Sequence, residues 1–177
     1  MNEFGRNPDM EEEGLKDRPS RARYDKARAV LDRKWRRREL RTDRMMREVV
    51  DVLWDNFAGA PYSWCGFYVL SPDASQLILG PHRDKPACSP LALHGVCGAA
   101  IKSGAPQIVA DVKALGQAHI ECDPKNLSEI ALPVFDPDGK VWAVLDVDSA
   151  QLNAFNEMDQ RWLDRILKPF STVTRPQ

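Results

Sequence analysis

Cys88, Cys97 and Cys122 lie 9 and 25 residues apart, each beside glycine or loop signals rather than inside an apolar run. A dithiol redox cycle needs a thiolate to attack an electrophile and a second thiol to resolve the product. Three cysteines on mobile segments around one pocket would meet that need. Local electrostatics leave the attacking thiol open. Glu121 and Asp123 flank Cys122 and would raise its pKa, unless His119 and Lys125 fold inward to offset them. Cys97 sits near a helix start, which would lower its pKa. The fourth cysteine, Cys65, stands beside Phe67 and Val69 and reads as an inert core residue. A zinc site is the competing use of these thiols with His82, His94 and His119. The spacing lacks the paired C-x-x-C ligands of a structural site, and only "HIEC" joins a His to a Cys, so no metal is expected.

Carboxylates and aromatics supply the second half of a site. Side chains alternate across a strand. In "YSWCGFYVL" Trp64, Gly66 and Tyr68 therefore share one face, and Cys65, Phe67 and Val69 the other. In "KVWAVLDVDS" parity groups Trp142, Val144, Asp146 and Asp148, with the two acids roughly 6–7 Å apart. Either this face floors a cavity with a cation-binding rim, or the strand runs out into water at Asp146. Glu129 opens the neighbouring strand near the same end. Three acids and two aromatics suit an amine or small zwitterion better than a phosphate, since no glycine-rich phosphate cradle or arginine cluster accompanies them.

The elements that must position these groups can be read in order. "SRARYDKARAVLDRKWRRRELRTDRMMREVVDVLWDNF" is helical, anchored first by Tyr24, Ala27, Leu31 and Trp35. A stripe at Met46, Val49 or Val50, Leu53 and Phe57 follows. "YSWCGFYVL" and "QLILG" form strands joined at "SPDAS", and "HGVCGAAIKSG" forms a short helix stopped at Gly104. "PQIVADV" is a strand, and residues 113–127 form a loop long enough to be functional. "SEIALPVF" and "KVWAVLDVDS" make a hairpin through "DPDG", and a last helix starts at the cap Asn156. The expected architecture is α+β: one antiparallel sheet with helices on one face and the other face free for a pocket. Residues 1–20 carry little to bury and are expected to be disordered. Residues 21–47 read as a basic helical extension and 48–177 as the folded domain.

Composition narrows the classes. The net charge of −1 divides into +5 over residues 1–47 and −6 over the rest. The run "RKWRRREL" is the one nucleic-acid candidate; without a base-reading or phosphate-reading motif it reads as a solvated helix face. No apolar run approaches the roughly 18 residues of a membrane span, and the amino terminus lacks a secretory core. A cytoplasmic protein with thiols reduced at rest is expected.

The segments "SWCGFYVL", "LILGPHRDKPAC", "HGVCGAAIKSGAPQIVADV", "HIECDPKNLSEIALPV" and "GKVWAVLDVDS" together resemble the GAF-domain free methionine-(R)-sulfoxide reductases, from about Tyr62 to the last helix. The resemblance implies reduction of free methionine sulfoxide, with Cys122 attacking the sulfoxide sulfur and becoming a sulfenic acid. Cys97 would resolve it as a disulfide, Cys88 would be a second resolving or relay thiol, and thioredoxin would restore the dithiol. Glu129, Asp146 and Asp148 would hold the amino group and help polarise the sulfoxide oxygen, and Trp64 and Tyr68 would line the side-chain pocket. No bound cofactor is implied, and a helix-mediated homodimer is. The competing function is a non-catalytic GAF module that binds a small ligand and signals through its amino-terminal helix. The glycines beside Cys97 are expected to let its backbone move toward Cys122.

Overall fold

The first helix, α1 (Arg21–Trp35), has few apolar residues, and they fall on one face: Tyr24, Ala27, Leu31 and Trp35 are all buried. The structure, a computed structural model, describes residues 21–84 and 87–174. The expected disorder of residues 1–20 lies outside them. The helical reading from Ser20 to Phe57 is interrupted: α1 ends at Trp35, and α2 spans Thr42–Phe57. Between them Arg37 adopts a left-handed φ of 59°, where the charged run offers no apolar anchor to continue a packed face. The reversal folds α1 back on α2, and Trp35 Nε1 donates to Glu48 at 2.7 Å. A boundary at residue 47 would cut through α2. α1 is no appendage, because it feeds the same core.

Six strands follow: β1 (Tyr62–Leu70), β2 (Gln76–Arg83), β3 (Leu91–Ala92), β4 (Gln107–Val109), β5 (Ser128–Phe135) and β6 (Val141–Ser149). They form one antiparallel sheet in the order β3-β2-β1-β6-β5-β4. Helix α3 (Val96–Ser103) ends at Gly104 with a φ of 63°, the left-handed cap its sequence signals. Helix α4 (Glu157–Leu167) starts with a reciprocal capping box between Asn156 and Asp159.

The two faces of the sheet carry separate apolar clusters. α1, α2 and α4 cover one, where Leu53, Phe57, Phe67, Leu145 and Leu163 pack together. Cys65 is fully buried there, and burial pushes its thiol far above the ordinary range, as befits an inert core residue. A polar chain crosses this core: the Tyr24 hydroxyl lies 3.0 Å from that of Tyr62 and donates to Asp159 at 3.1 Å. The opposite face carries Trp64, Tyr68, Val144 and Ala131, covered by the short α3 and by loops. The cleft lies on this side.

One residue read by strand parity sits on the wrong face. Parity assigns Trp142 to the face of Asp146, yet it packs into the helix-side core, 6.4 Å from the Phe170 ring. The register explains it. Val134 pairs with Ala143 but Phe135 pairs with Val141, so Trp142 is the extra residue of a β-bulge and the alternation resets there. From Val144 onward parity holds.

Candidate active site

The floor of the cleft is built on β1. Trp64 and Tyr68 stack with centroids 5.8 Å apart, and the indole folds over the residue between them. A Cβ on Gly66 would lie 2.5 Å from the Trp64 ring and 2.6 Å from His82 Cβ, so glycine is required by close approach. His82 of β2 stacks on Trp64 at 6.0 Å. The Tyr68 hydroxyl donates to the Cys88 carbonyl oxygen at 3.0 Å, fixing the cysteine loop above the ring.

The carboxylate wall comes from the central hairpin. Glu129 of β5 pairs directly with Asp148 of β6, and Ala131 with Asp146. All three acids are buried. Burial, and then the neighbouring negative charge of Asp146, pushes Glu129 and Asp148 well above the usual carboxyl range. Burial also lifts Asp146 to about 6. Among the described residues lining the cleft there is no lysine or arginine, and burial lowers the pKa of His119. The cleft is therefore built to receive positive charge or to keep carboxyl groups protonated when empty.

The third wall carries sulfur. A 3-10 helix (Val112–Ala118) leads into the rest of the long loop, which is pinned where Ser63 Oγ donates to Asn126 at 2.9 Å and where Leu127 N–H donates to the Ser149 carbonyl at 2.8 Å. This loop lays His119, Ile120 and Cys122 over the cleft. Cys122 is disulfide-bonded to Cys88, with Cα atoms 5.5 Å apart. Cys97, at the first turn of α3, is a buried free thiol whose Sγ donates to Glu129 Oε1 at 3.9 Å. Burial, reinforced by Asp146 and Glu129, pushes that thiol well up, overriding the helix-start effect that the sequence suggests. Cys97, expected from the resemblance as the partner of Cys122, is thus not the one bonded to it. The loop packing seats Cys88 beside Cys122, while α3 aims Cys97 at the acids.

The glycines around Cys97 also have a different reason from the one expected. A Cβ on Gly98 would lie 2.4 Å from the Leu93 carbonyl oxygen and 2.6 Å from its Cα. Close backbone packing, not freedom of movement, demands glycine here.

Trp64, Tyr68, Cys97, Cys122, Glu129, Asp146 and Asp148 all line one cleft, and the disulfide ties Cys88 to it through Cys122. Sequence reasoning missed Ile120 and Asn126 as contributors and named His82, which stacks on Trp64, only in the competing zinc reading; the length of the 113–127 loop was the one signal for the first two. Two buried atoms in the cleft have no hydrogen-bond partner: the Trp64 Nε1–H donor and the Asp146 Oδ1 acceptor. Buried polar groups are seldom left so. A ligand presenting an acceptor to one and a donor to the other would satisfy both. Cys97, Glu129 and Asp146 also place three donor atoms within 4.8 Å of one another, enough for a small cation.

A six-stranded antiparallel sheet with a ligand cleft on one face and helices on the other is the architecture of a GAF domain, and the GAF domain model matches residues 39–172. Among curated relatives, Protein YtsP of Bacillus subtilis is 42% identical over 102 residues, covering 57% of this chain and 61% of that protein. The free methionine-R-sulfoxide reductase of Saccharomyces cerevisiae is 38% identical over 108 residues, covering 60% and 59%. The aligned segment thus spans less than two thirds of either relative. Solved structures align over more of their length. The reduced form of fRMsr of Staphylococcus aureus is 32% identical, covers 87% of this chain and 95% of that chain, and superposes with a TM-score of 0.77. The free methionine-R-sulfoxide reductase of Neisseria meningitidis in complex with its substrate is 30% identical, with 84% of each chain covered and a TM-score of 0.72. The chain belongs to the GAF-domain family, in the branch of the free methionine-(R)-sulfoxide reductases.

Proposed function

We propose that this chain reduces free methionine (R)-sulfoxide to methionine, drawing its electrons from thioredoxin in a reducing compartment such as the cytoplasm. The observation that carries the reading is the position of Cys122: it lines the same cleft as Glu129, Asp146 and Asp148, with its sulfur already joined to a second cysteine. The substrate is taken from the names of the relatives, and the R epimer with it. The chemistry of the cleft agrees. A free amino acid brings an ammonium for the carboxylates and a sulfoxide oxygen, an acceptor suited to the Trp64 Nε1–H.

In the proposed cycle the Cys122 thiolate attacks the sulfoxide sulfur. The oxygen is transferred to Cys122 as a sulfenic acid, and methionine leaves with its sulfur reduced. Glu129 and Asp148, whose carboxyl pKa values burial pushes well above the usual range, would supply the proton that the sulfoxide oxygen needs as charge develops on it. The Cys88 thiol then attacks the sulfenic sulfur; water leaves and the Cys88–Cys122 disulfide forms. A thioredoxin dithiol reduces that disulfide and is itself oxidised. In this reading Cys88 takes the resolving role that the resemblance gives first to Cys97.

The test is NADPH consumption coupled through thioredoxin reductase and thioredoxin, with both epimers, free and peptide-bound. Turnover confined to the free R epimer supports the proposal. A protein that binds the sulfoxide but never turns it over is instead a GAF sensor.

A further inference from the structure

We propose that Cys97, Glu129 and Asp146 form a binding site for one thiophilic divalent cation of the zinc class. Their donor atoms come from three different elements, α3, β5 and β6, and lie within 4.8 Å of one another. The Cys97 Sγ to Glu129 Oε1 separation is 3.9 Å. Zinc–sulfur and zinc–oxygen bonds of about 2.3 and 2.1 Å at a tetrahedral angle put the two donors roughly 3.6 Å apart. That pair therefore needs to close by only a few tenths of an ångström, and every donor pair lies within 4.8 Å.

A second observation points to a ligand at this place. Asp146 is 7% exposed, and its Oδ1 is buried without a hydrogen-bond partner. A metal bond would satisfy it. The Cys88–Cys122 disulfide spares Cys97, so the site survives in the oxidised protein.

The donor set selects the ion. One thiol with two carboxylates favours zinc or cadmium over magnesium and calcium, which take oxygen ligands. As the sulfur–metal bond forms, the Cys97 proton passes to solvent, as do any protons held by the two carboxyl groups. With no lysine or arginine in the described lining, nothing cationic competes from within. Sequence spacing could not suggest this site, because its ligands are 32 and 17 residues apart. A bound ion would occupy the carboxylates proposed above to hold an ammonium, but the site itself stands without the reductase reading.

The experiment is a titration of the full chain, in its disulfide form and free of sulfoxide, with cobalt(II) as a spectroscopic stand-in for zinc. The expected result is one equivalent bound with thiolate-to-cobalt absorbance, displaced by zinc. Removing even an outer-shell partner costs roughly ten-fold or more in metal affinity, so Cys97→Ser and Asp146→Asn should each weaken zinc binding by at least about that factor. Glu129→Gln gives the same comparison should Cys97→Ser fail to fold. Absence of thiolate absorbance at one equivalent, or unchanged affinity in the folded variants, overturns the proposal. Metal-free turnover is scored separately, so failure of one reading leaves the other standing.

Discussion

Replacing Gly98 by alanine should destabilise the protein although alanine is the better helix former. The new Cβ would stand 2.4 Å from the Leu93 oxygen, 2.5 Å from its carbonyl carbon and 2.6 Å from its Cα. All three are backbone atoms that no rotamer change can move. Overpacking of this kind costs about 3 kcal/mol at the upper end of its usual range. The gain in helix propensity over glycine offsets about 1 kcal/mol, leaving a net loss of about 2 kcal/mol. At roughly 2–4 °C per kcal/mol for a chain of this size, the Tm should fall by about 4–8 °C in scanning calorimetry. Relief of the clash moves α3 outward and takes Cys97 from Glu129. Gly95→Ala is the control, since the nearest atoms to its Cβ belong to the Ile120 side chain, at 3.1 Å and beyond, which can give way where backbone cannot; its Tm should change by less than half as much. If Gly98→Ala melts at or above the wild-type temperature, close packing of α3 on Leu93 is not why glycine follows Cys97.

Two further perturbations probe the frame and the wall of the cleft. Tyr24→Phe removes the hydroxyl between Tyr62 and Asp159, and loss of these buried hydrogen bonds, one of them to a carboxylate, should cost about 1–3 kcal/mol in urea unfolding; a change indistinguishable from zero would show that this chain does not fasten α1. Asp148 has a folded pKa raised by burial. Its contribution is fully present below the unfolded carboxyl pKa of about 4 and is lost as pH rises toward the raised folded value. Asp148→Asn should therefore gain stability relative to the wild type as pH rises above about 4, and Tm curves that stay parallel as pH rises would contradict the assignment.

The sheet was legible because its strands are bounded by clear turn chemistry: "YSWCGFYVL" and "SEIALPVF" coincide with β1 and β5. Glu129 and the two aspartates could be grouped because alternation is undisturbed beyond Val144. Trp142 was misplaced because a one-residue bulge leaves no mark in the sequence. The break at residues 36–41 was equally silent, since the same charged residues suit an exposed helix and an exposed turn. The cysteine pairing was hidden for another reason. Which sulfurs meet depends on how the 113–127 loop folds over the sheet, through contacts such as Ser63 to Asn126 that join residues far apart in sequence. The pKa of Cys97 turns on the same point. Local sequence shows the helix start, while the burial and the carboxylates that dominate come from tertiary packing.

The most direct test begins with the fully reduced chain and one equivalent of free methionine (R)-sulfoxide, without thioredoxin. Released methionine is quantified, and the disulfide formed is mapped by mass spectrometry. The account predicts one methionine per chain, a Cys88–Cys122 bond, an intact Cys97 thiol, and no methionine from Cys122→Ser. Methionine released by that variant at the wild-type rate, or none released by the wild type, would contradict it.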